Sequence, residues 1–101
     1  MLRTLADAYK VCQLNGYSLS PMEALAMVTL GNAESLHLDG VIGNFVAGKE
    51  ADFLMLDSMA ESIIERRVGL STSIEDEFFA LMTLGDDRVV AATYVAGERV
   101  R

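Results

Sequence analysis

The stretch Ile42-Gly43-Asn44-Phe45-Val46-Ala47-Gly48-Lys49-Glu50-Ala51-Asp52-Phe53-Leu54-Met55-Leu56-Asp57 decides how this chain is to be read. Its two glycines, Gly43 and Gly48, suit tight turns that need a positive φ. Lys49-Glu50 makes a polar corner, and the apolar run from Phe53 to Leu56 ends sharply at Asp57. A short apolar run bounded by turn signals predicts a strand buried on both faces. The chain before it has helical patterning, and most of the chain after it is expected to return to it.

Upstream, Leu2, Leu5, Tyr9 and Cys12 recur at helical spacing, with Ala6, Ala8 and Val11 widening the face. Asn15-Gly16 supplies the stop, but no capping residue stands before Met1. That places the start of the sequence inside an element boundary. Ser20-Pro21-Met22-Glu23 predicts a helix start with a reciprocal cap and a proline at the first helical position. The helix from Met22 to about Leu30 is apolar nearly all round, which predicts burial. Gly31 is expected to break it, and residues 32–36 to form a further helical turn before the loop at Asp39-Gly40.

Downstream, residues 60–67 set Ile63 and Ile64 against Glu61, Glu65, Arg66 and Arg67, a short amphipathic helix. Ser73 with Asp76 suggests a second cap, and Glu75-Asp76-Glu77 puts negative charge where a helix dipole favours it. Ile74, Phe78, Leu81 and Met82 form that helix's apolar face, and Gly85-Asp86-Asp87 turns the chain. Residues 89–95 are β-branched and aromatic, and Ala96-Gly97-Glu98 permits a tight hairpin into Val100. There is no internal repeat or low-complexity tract.

The bulk properties bound the answer. A chain of 101 residues is one domain at most, and 51% hydrophobic content is high for that size. Some apolar faces are therefore expected to need a partner. A formal charge of −7 and eight scattered basic residues, with Arg66-Arg67 the one adjacent pair, exclude a phosphate-binding surface and with it nucleic acid. One cysteine, Cys12, forms no intrachain disulfide and suggests a reducing compartment. No apolar run reaches the ~20 residues of a membrane span. A cytoplasmic setting is the expectation.

No residue set here performs catalysis by itself. His37 is the only histidine, in a Leu-His-Leu context, whereas a hydrolytic zinc site needs three protein ligands. His37 is read as structural or solvent-facing. Cys12 lies on an apolar helix face, where cysteine behaves as a small hydrophobe, and no neighbouring histidine activates it. Asp86-Asp87 and Glu75-Asp76-Glu77 lack the alternating oxygen ligands of a calcium loop and are read as turn and capping chemistry. Gly40, Gly43 and Gly48 do not form a phosphate-cradling turn.

The opening stretch resembles the closing segment of the amidohydrolase superfamily, I-G-x-x-x-x-G-x-x-A-D-x-x-x-L-D. It matches through Ile42-Gly43, Gly48, Ala51-Asp52 and Leu56-Asp57, preceded by Thr29-Leu30-Gly31-Asn32-Ala33. Ala47 stands where many members have proline, which loosens one turn. Within the superfamily the chain is similar to the guanine deaminases. Residues 1–11 resemble their last barrel helix, and residues 81–88 and 92–97 their closing segment.

The resemblance implies an α+β chain: the last helix of a (β/α)8 barrel plus the C-terminal strands of the flanking β-sandwich. Its parts would be a helical segment over residues 1–38, a turn and central strand over 39–57, a helical connection over 58–88, and a C-terminal hairpin over 89–101. The implied parent reaction is hydrolytic deamination of guanine to xanthine and ammonia by a metal-activated hydroxide, with zinc or iron in the complete enzyme. Family members hold the metal through a His-x-His pair on the first barrel strand, histidines on the fifth and sixth, and an aspartate on the eighth. This sequence has no His-x-His and begins at the last helix, so the expected ligands lie upstream of Met1. No catalytic, cofactor-binding or metal-binding residue carries over to any position.

The expected partner is the missing N-terminal barrel portion or a second copy of the chain. Without barrel strands, the Leu2–Leu5–Tyr9–Cys12 face is expected to stay partly exposed. The alternative function is a self-standing α+β interaction or oligomerisation module, with residues 89–95 pairing to residues 53–56 across a subunit interface.

Overall fold

The structure, a computed structural model, describes residues 1–101. The helices are α1 (Leu2–Leu14), α2 (Pro21–Val28), α3 (Leu30–Ser35), α4 (Ser62–Val68) and α5 (Ile74–Leu84). Strand β1 (Phe53–Leu56) lies between α3 and α4; a 3-10 turn (Asp87–Val89), β2 (Val90–Val95) and β3 (Glu98–Arg99) close the chain.

The helix boundaries reflect local chemistry. Gly16 at φ 77 ends α1, with its N–H bonded to the Gln13 carbonyl and that of Tyr17 to the Cys12 carbonyl, a left-handed cap. Ser20 and Glu23 form the reciprocal cap of α2, with Pro21 at the first position. Ser73 accepts from the Asp76 amide at the start of α5. The interruption between α2 and α3 falls at Thr29 (φ −115, ψ −98), whose hydroxyl donates back to the Leu25 carbonyl at 2.7 Å. Gly31, expected to be the breaker, instead lies inside α3.

Helix α5 is the element the others pack on, touching α1, α2 and α4. One cluster joins Leu5, Leu19, Ala24 and Met82, with Tyr9, Cys12, Phe78 and Phe79 around it. A second joins Ile64, Leu81 and Val89, with Leu2 and Leu56 against it. Tyr9 meets Phe79 edge-on, ring centroids 5.2 Å apart. On the Leu2–Leu5–Tyr9–Cys12 face of α1 only Leu5 is fully buried against α5, while Leu2, Tyr9 and Cys12 pack on the core and stay partly exposed.

The three strands form one antiparallel sheet in the order β1-β2-β3. Phe53 lies opposite Tyr94, Leu54 opposite Thr93 and Met55 opposite Ala92, with a bulge before Leu56 meets Val90. The central strand is thus β2, and β1 is an edge. Leu54 and Met55 are 55% and 51% exposed, so β1 is not buried on both faces. The run Phe53–Leu56 has the composition of a buried strand, but only β2 pairs with it here. That pairing is within one chain, which removes the observation behind the interface-module reading.

Helix α2 is the other departure. Only Ala24 is buried on it, while Met22, Leu25 and Met27 are exposed. Its contacts to α3 and α5 occupy one side, and no element of this chain covers the other.

Candidate functional site

The residues of the opening stretch acquire distinct structural roles. Gly43 has φ 104, and a Cβ there would meet the Cβ of Ala33 at 2.8 Å and the Cα of Leu30 at 3.1 Å. The glycine therefore lets the loop lie directly on α3. Ala51 and Asp52 act on a distant segment. The Asp52 carboxylate accepts the Ala96 N–H at 2.7 Å, and the Ala51 carbonyl accepts the Gly97 N–H at 3.0 Å. Ala96 and Gly97 are the central pair of the β2–β3 turn, at φ 50 and φ 80. A two-residue hairpin needs that geometry, and alanine adopts it unwillingly. The Ala-Asp pair thus fixes the turn from outside. Asp57 ends β1 by accepting the Met59 N–H at 2.8 Å, while its own N–H bonds to the Val89 carbonyl at 2.8 Å.

The candidate chemical groups stand apart from one another. His37 is exposed at φ 56, and its N–H caps α3 at the Glu34 carbonyl. Cys12 is a free thiol, half-buried against the α1–α5 core. Asp76 pairs with Arg67 at 2.8 Å, and that hydrogen bond holds its carboxyl below the usual range. Glu23 accepts from the Tyr17 hydroxyl at 2.6 Å and from the Ser20 N–H at 3.1 Å; the Tyr17 bond is the larger cause of its lowered pKa. No three His, Cys, Asp or Glu side chains converge on a point.

Asp86 is the hub of an ion network that the turn reading did not anticipate. It accepts from the Arg88 backbone N–H at 3.0 Å and from the Arg88 guanidinium at 2.9 Å, with Arg3 at 3.5 Å. Arg88 also reaches Glu61 at 3.0 Å. The Arg88 hydrogen bonds hold the Asp86 carboxyl far below the ordinary carboxylate range. The network ties the start of α1 and the start of α4 to the turn before β2. Only the Asp86–Arg88 spacing is local enough to be visible in the sequence. Likewise Phe53 stacks on Tyr94 at 4.5 Å and Phe45 lies 5.9 Å from Phe53, a grouping with no local signal.

Two concavities, of about 290 and 380 Å³, are open surface grooves lined by Arg3, Asp7, Lys10 and Asp86 among others, and by Ser62, Glu65 and Arg66. Small-molecule sites are enclosed and mostly apolar, which these are not. What the geometry offers is a scaffold of loop, hairpin and helix contacts.

Comparison with known proteins gives that scaffold a family. Residues 1–100 match the model of the amidohydrolase family. The chain belongs to the amidohydrolase family. It is 52% identical over 100 residues to the guanine deaminase of Escherichia coli (strain K12), a match covering 99% of this chain and 23% of that protein. The solved structure of E. coli guanine deaminase superposes with a TM-score of 0.96 at 51% identity, over 99% of this chain and 23% of the other. That of guanine deaminase from Bradyrhizobium japonicum gives 0.83 at 35% identity, over 99% and 27%. This amidohydrolase chain therefore spans about a quarter of the length of the relatives it matches. No helix in it is long and apolar enough to cross a membrane.

Proposed function

We propose that this chain is the C-terminal portion of a guanine-deaminase-type amidohydrolase, and that it supplies packing to that enzyme, not chemistry. The complete protein would hydrolyse guanine to xanthine and ammonia in the cytoplasm. In this reading α1 is the last barrel helix, residues 39–57 and 89–101 belong to the flanking β-sandwich, and residues 58–88 connect them. One observation carries the proposal: near-complete superposition, at half identity, on E. coli guanine deaminase.

The family chemistry requires a bound zinc or iron ion to activate water. The residues present do not fit such a centre. The sole histidine, His37, caps a short helix, and no three ligand-type side chains converge. Metal and guanine would both be held by the part of the protein outside the match, and no catalytic step is assigned to any residue here.

A chimera tests the proposal. The segment of E. coli guanine deaminase that aligns with this chain is replaced by this chain, and guanine deamination is measured. Activity within about tenfold of the parent is expected. A soluble, metal-loaded chimera with no activity on guanine overturns the substrate assignment.

A further inference from the structure

We draw no further inference here: the strongest candidate, the exposed apolar face of α2 around Met22, Leu25 and Met27, carries nothing because nothing in the structure shows what covers it.

Discussion

Gly43→Ala is the sharpest probe of how the opening stretch is held. At φ 104 the new Cβ would sit 2.8 Å from the Cβ of Ala33, itself buried, and 3.1 Å from the Cα of Leu30. A side chain forced into such a φ costs ~1–3 kcal/mol. Overpacking against a fixed neighbour costs a further ~1–3 kcal/mol, and the stiffer unfolded chain returns ~0.4–1 kcal/mol. The net loss is about 2–5 kcal/mol. Gly48 is the matched control, since its φ is 97 but no atom lies within 4 Å of an added Cβ. Gly48→Ala should therefore cost only the backbone part, about 1–2 kcal/mol. Urea unfolding followed by circular dichroism reads both, with a midpoint shift of ~1–3 M expected for Gly43→Ala. Combining Gly43→Ala with Ala33→Gly should recover the steric part as a non-additive term of ~1–3 kcal/mol. Equal losses at both glycines, or no recovery in the double variant, would refute the close-packing argument.

The same contacts set three further outcomes. Asp52→Ala should speed amide exchange at Ala96 roughly tenfold, the equivalent of one net hydrogen bond, while Asp52→Asn, which keeps an acceptor oxygen, should change it little. Ile64→Ala, at 1% exposure, should cost ~2–5 kcal/mol, whereas Leu54→Ala on the open edge should barely move the midpoint of the isolated chain. Finally, Asp86, Asp76 and Glu23 all have folded pKa values depressed below their unfolded ones. Their contribution is present above the unfolded values near pH 4 and is lost as pH falls through the folded ones. Stability should decline below about pH 4, more gently in Asp86→Asn; a loss that begins near neutral pH would count against these pairs.

Local chemistry is legible in the sequence by itself. Ser20-Pro21-Met22-Glu23 determines a capped helix start and Ser73 with Asp76 another, because each interaction closes within a few residues. The family motif is equally readable, since its glycines and aspartates are set by backbone geometry. Burial is not. Composition marks the runs 22–30 and 53–56 as interior, yet Met22, Met27, Leu54 and Met55 are exposed. Apolar content states that a face can be covered, and only the arrangement of other elements decides whether it is. Tertiary structure alone brings α5 under the α1 face, Tyr94 onto Phe53, Arg3 to Asp86, and Asp52 to Ala96 across 44 positions. The physical reason is range: caps and turns are local interactions, whereas packing partners and ion networks are chosen by a fold that joins segments far apart in the chain.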